Sequence, residues 1–240
     1  MCCVPVLPPR HVVPENLAAT KPINCRPLDT PLPYSMFSDP GPIKLQKLST
    51  GLEPSQACPG REISSKINTE ILHAWLQSCM DCKRDRSKTL PPSFRLIDVN
   101  QDCVVEAPSD PDYAILSYVW GSLQREFLLA LKSNFESLKV PGSICPENPL
   151  LPKTIRDAII LTKALGYRYL WVDSVCIVQD DASSITQINA MDAIYSLADF
   201  TIVAASGVDA DAGIHGSPDT PRMTHQFKAT VQGVSLVCCW

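Results

Sequence analysis

The sequence is short of glycine, with 10 in 240 residues, and no glycine-rich loop follows any strand-like run. A phosphate cradle of the nucleotide-binding kind is therefore not expected. No apolar run approaches the ~18 residues that a membrane span requires. The start, "MCCVPVLPPR", has neither the basic opening nor the uninterrupted apolar stretch of a secretory signal, so a cytoplasmic location is the expectation. Basic residues form no stripe: the net charge is −4, and the densest run, "KRDRSK" at 83–88, holds an acid. Nucleic acid is not an expected partner. Without a secretory signal, the eleven cysteines read as reduced thiols and not as a disulfide framework.

What is present is unevenly spread. A hydrophobic content of 45 % suffices for one sizeable core with irregular flanks. Twelve of the 22 prolines fall within residues 1–60, where no periodic apolar face persists, and that arm reads as extended or disordered. Residues 61–110 read as a lead-in. There "KINTEILHAWLQSCMD" places Ile67, Ile71, Leu72, Trp75, Leu76 and Cys79 on one helical face, with Ser64 or Ser65 as cap. "FRLIDV" and "CVVEA" follow as a hairpin.

Residues 111–216 carry the core pattern, and 217–240 read as a C-terminal extension. "YAILSYVWG" (113–121) is a strand, and "LQREFLLALKSNFESL" (123–138) repeats apolar residues at helical spacing. "LPKTIRDAIILTKALG" is a second helix, with Pro152 at its start and Gly166 at its end. "YRYLWVDSVCIV" is the next strand, a helix capped by Ser183 or Ser184 runs through Tyr195, and "FTIVAASG" (200–207) closes the series. Alternating strands and helices imply an α/β fold, a short parallel sheet flanked by helices.

In such a sheet, polar residues that serve a ligand gather at the carboxyl ends of strands. Three such ends fall at Ser117–Gly121, Asp173–Asp181 and Ser206–Asp211. Asp173 interrupts an apolar run where an unpaired carboxylate costs several kcal/mol. It fits either a ligand-binding or catalytic acid, or a buried acceptor for Ser117 or Tyr118. Trp120 with Gly121 could floor a pocket or plug the core. Asp180 and Asp181 suit the start of a helix, worth about 0.3–1 kcal/mol there. Together with Ser174, Gln179 and Gly207 they outline an acidic rim better suited to ribose hydroxyls or a weakly held divalent cation than to phosphate. Cys176 has no neighbouring base and reads as an inert buried thiol. Cys79 and Cys82, with Cys103 and His73, make an incomplete zinc pattern, so no metal is expected. Cys2/Cys3 and Cys238/Cys239 lack the basic cluster that a lipid anchor would use as its second signal.

The blocks "YAILSYVWG", "LPKTIRDAIILTKALGYRYLWVDSVCIVQDD", "QINAMDAIYSLADFTIVAASG" and "DADAGIHG" resemble, in this order, the fungal heterokaryon-incompatibility (HET) domain family. Val119 stands where the family more usually has Cys, and the His between the early spaced cysteines is missing. Relatives often continue further than 217–240 does here. The resemblance implies a trigger of self/non-self recognition and programmed cell death, acting through self-association or a protein partner, on a fold similar to TIR domains. TIR relatives can cleave NAD with a glutamate beside the sheet rim. The helix expected to carry it, "SSITQINAMDAIYSLAD", has none: Gln187 cannot ionise, and the remaining candidates are Asp192 and Asp173. NAD is thus a cofactor or substrate only under the enzymatic alternative.

Overall fold

A computed structural model of the chain describes residues 44–48, 60, 62–79, 87–122, 125–223 and 226–239. In chain order the elements are β1 (Lys44–Lys47), α1 (Thr69–Ser78), β2 (Arg95–Asp98), β3 (Cys103–Glu106), β4 (Tyr113–Ser117), α2 (Phe135–Leu138) and α3 (Lys153–Ala164). They continue with β5 (Tyr169–Trp171), α4 (Asp173–Cys176), α5 (Ser184–Asn189), α6 (Met191–Leu197), β6 (Phe200–Val203), β7 (Lys228–Val231) and β8 (Val234–Cys239). They divide into two compact units, the larger within residues 64–224.

The larger unit is built on a five-stranded sheet in the order β3-β2-β5-β4-β6. β5, β4 and β6 run parallel, as the alternation of strands and helices requires. The hairpin does not stand apart from them, which corrects the expectation of a purely parallel sheet: β2 pairs antiparallel with β5 through Ile97↔Leu170 and Asp98↔Tyr169. Leu96 and Ile97 are both sealed from solvent, so this strand is covered on both faces. Helix α3 behaves as its pattern predicts. Ile155, Ala158, Ile159 and Thr162 are buried along one stripe, Pro152 precedes it, and Gly166 follows at φ 76°.

Three expectations fail where hydrogen bonds, some long-range and some local, decide what periodicity leaves ambiguous. The apolar spacing over 123–138 predicts a helix, yet among the described residues only Phe135–Leu138 is helical. Before it, Leu128 N–H donates to Leu150 O, Ala130 N–H to Ser174 O and Lys132 N–H to an Asp180 carboxylate oxygen, which holds the backbone extended between neighbours. The run after Trp171 is not strand either. Val175 and Cys176 N–H turn back to Val172 O, and α4 begins at Asp173. The single helix expected over 184–195 is two, α5 and α6, meeting at Ala190. The first is fastened by Gln187 to Pro92 O at 2.8 Å, the second by Asp192 and Ser196 to Lys88.

Helix α1 is capped by Asn68, whose side chain accepts from Ile71 N–H at 3.1 Å, and not by Ser64 or Ser65. Its expected apolar face stays half-covered, and Trp75 is 57 % exposed. Strand β6 ends at Val203, short of the expected 207.

The smaller unit is a three-stranded antiparallel sheet in the order β1-β8-β7. Gln232 and Gly233, at φ 50° and 78°, make the two-residue turn between β7 and β8. Strand β1 lies inside the arm that sequence reads as extended or disordered. Apart from 44–48 and 60, that arm lies outside the described residues, as do Cys2, Cys3 and Cys82. No helix among the described residues is long and apolar enough to cross a membrane.

Candidate functional site

The strand ends singled out in the sequence meet at one rim. Strand β4 ends at Ser117, and the chain runs on through Tyr118 and Val119 to Trp120, whose indole N–H donates to an Asp173 carboxylate oxygen at 2.9 Å. The other Asp173 oxygen accepts Ser174 N–H at 2.7 Å. The Tyr118 hydroxyl lies 2.9 Å from Ser174 Oγ and within reach of the Asp173 carboxylate. Gln179 holds the turn below, donating its amide to Asp173 O and Ile177 O. Asp173 is half-buried, as are Tyr118 and Trp120.

The third strand end joins through backbone contact. Ala210 N–H donates to Trp120 O at 3.2 Å. Gly121 adopts φ 65°, and a Cβ there would stand 2.4 Å from Asp209 Cβ, so only glycine lets the two loops touch. Gly207 is equally close to Ala212, 2.5 Å for the same added atom. Arg125 donates to both carboxylate oxygens of Asp211, at 2.6 and 2.8 Å, which raises the guanidinium pKa and lowers that of the carboxyl.

Burial governs the acid–base character of the rim. Loss of water pushes the Asp173 carboxyl above its ordinary value, partly offset by the Ser174, Trp120 and Tyr118 donors. The Tyr118 phenol is pushed up strongly, first by burial and then by the charge of Asp173. Burial takes the Cys176 thiol to about 12. Its sulfur accepts Val172 N–H at 3.4 Å, and a thiol so protonated is no nucleophile.

Asp180 and Asp181 precede α5 as expected, Asp181 accepting the N–H of Ser183 at its start, and they also hold a neighbouring segment. Asp180 accepts Lys132 N–H at 2.8 Å, and Asp181 pairs with the Lys132 ammonium at 2.9 Å. Asp181 also accepts both the hydroxyl and the N–H of Ser183, and these bonds with Lys132 hold its carboxyl well below the usual range. The two acids therefore clasp Lys132, in the turn that leads into α2, against the rim.

Sequence reasoning missed two contributors. Tyr195, placed in a helix's apolar stripe, reaches Ser117 with its hydroxyl and packs edge-on against Trp171 at 6.1 Å. Phe127, assigned to a helix that does not form, packs edge-on against Trp120 at 6.2 Å. Of the zinc pattern, the described Cys79, Cys103 and His73 do not converge: Cys79 is exposed, Cys103 is buried in β3, and His73 faces Ala164 O at 3.4 Å. Among the described residues no three His, Cys, Asp or Glu side chains are grouped to hold a metal ion.

The sequence model of the family described as Heterokaryon incompatibility protein (HET) matches residues 113–235, just over half of the chain. The chain belongs to the heterokaryon incompatibility family. The match begins at the first residue of β4 and takes in all three parallel strands with every residue of the HET-domain rim described above. Helix α1 and the β2–β3 hairpin lie before it. No curated protein and no solved structure matches the chain.

Proposed function

We propose that this HET-domain protein is a cytoplasmic signalling module of fungal self/non-self recognition. Its output is programmed cell death, reached through self-association or binding of a protein partner. One observation carries the choice of module over enzyme: both oxygens of Asp173, the acid at the centre of the rim, are engaged by the fold's own donors, Trp120 and Ser174. Hydrolysis of a glycosidic bond draws on placed carboxylates. The helical segment beside the rim offers no further one. Gln187 is buried against Pro92 O, and Asp192 is paired with Lys88 at 3.1 Å. On α5, Ile185 and Ile188 are 63 % and 52 % exposed, apolar area of the kind that interfaces cover.

The runner-up is a TIR-like, NAD-cleaving hydrolase with Asp173 in place of the glutamate. The raised proton affinity of Asp173, a property of many catalytic acids, favours it, as does the set of three parallel strands flanked by helices. Expression of the full chain in a fungal host separates the two, with viability and cellular NAD followed together. Death with NAD retained is the expected result. Rapid NAD loss that disappears in Asp173→Asn would move the assignment to hydrolase.

A further inference from the structure

A carboxylate taken half out of water is stabilised by neutral donors, by a positive charge, or by both. Asp173 has only the first. Its partners are an indole N–H, a backbone N–H and a phenol, and among the described residues no lysine, arginine or histidine forms an ion pair with it. Those donors hold the acid in place without neutralising it.

The surroundings select a charge of one kind. Tyr118, Trp120, Phe127 and Tyr195 lie about the carboxylate or pack on its partners, and each is half-buried. Aromatic faces attract cations and repel anions. An anionic ligand would meet a carboxylate with no basic side chain paired to it, the rim's Arg125 and Lys132 being engaged by Asp211 and Asp181. A neutral apolar ligand would strip water from Asp173 and give nothing back. A compact, strongly hydrated ammonium gains less from ring faces than a flat, delocalised cation that sheds water easily.

We propose that the rim at Asp173 is a binding subsite for a flat organic cation, a guanidinium or a pyridinium ring. The cation packs against the Tyr118 and Trp120 rings and supplies the charge that the fold withholds from Asp173. This rests on the reading of the rim as the functional site and names what it takes. A guanidinium would arrive as an arginine of a protein partner, a pyridinium as part of a small molecule.

The test uses the purified full chain and four probes: N-acetylarginine amide and 1-methylpyridinium, with their neutral counterparts N-acetylcitrulline amide and toluene. The indole N–H resonance of Trp120, assigned by its loss in Trp120→Phe, reports binding beside the carboxylate. At least one cation should shift it and bind about tenfold or more tightly than its neutral counterpart. Asp173→Asn should remove that preference. Tighter binding of the arginine probe identifies a protein side chain as the source, and tighter binding of the pyridinium identifies a small molecule. The subsite is overturned if neither cation moves the resonance, if the neutral probes bind as well, or if folded Asp173→Asn keeps the preference. The comparison of charged with neutral probes stands on the native chain, so a poorly folding variant does not remove it. Cell killing without cation binding sinks the subsite alone, and cation binding without cell killing sinks the signalling reading alone.

Discussion

Strand β5 runs between two carboxylates that are satisfied by opposite means. Beside its amino end lies Asp98 of β2, 1 % exposed, with one oxygen accepting Asn100 and Gln101 N–H and the other accepting Arg168 at 2.8 Å. Beyond its carboxyl end lies Asp173, half-buried and held by neutral donors alone. The first arrangement is closed. It ties the hairpin turn to the strand, and its charge is balanced within the fold. The second holds its acid in place and leaves the charge unbalanced. Buried charges that serve architecture are paired, so the unpaired one is where a function is to be sought.

Removing each acid sharpens the contrast, and the largest effect should come at the closed end. Asp98→Ala deprives two turn amides and a guanidinium of their acceptor and leaves a gap inside a sealed sheet. A loss of about 2–4 kcal/mol is expected in denaturant unfolding. Asp173→Ala frees the Trp120 and Ser174 donors at a site water can partly reach, and about 1–3 kcal/mol is expected. An Asp173→Ala protein less stable than Asp98→Ala would break the comparison, because the rim would then be the architectural end.

How much of this could be read from the chain follows the same division. The closed elements were legible: α3 has its proline, its glycine and its apolar stripe, and the hairpin has two short β-branched runs about a polar turn. Asp173 was legible too, as an acid inside "LWVDSVCIV". Its partner was not, because Trp120 lies 53 residues away and nothing local couples an indole to that acid. The 125–134 segment misleads because its amides are used by Leu150, Ser174 and Asp180, which no spacing rule can see. Tyr195 was hidden by its own helical stripe, where a tyrosine reads as core.

The smallest expected effect concerns pH, and it sets Asp173 against Asp181 on the same rim. Burial raises the Asp173 carboxyl in the folded chain above its unfolded value of about 3.9. Its contribution to stability is therefore fully present below that unfolded value and is lost as pH rises through the folded one. The Ser183 hydroxyl, Lys132 and Ser183 N–H lower the Asp181 carboxyl, so its contribution is present above about 3.9 and is lost as pH falls through the folded value. Denaturation midpoints of Asp173→Asn and Asp181→Asn, each referred to the native chain between about pH 3 and pH 7, should diverge. On acidification the native chain should gain relative to Asp173→Asn and lose relative to Asp181→Asn. Asp181 and Lys132 meet in solvent, so added salt should shrink the second trend and leave the first. Two trends of the same sign would mean that Asp173 has found a positive partner in the folded chain, and the unbalanced end of β5 would be closed after all.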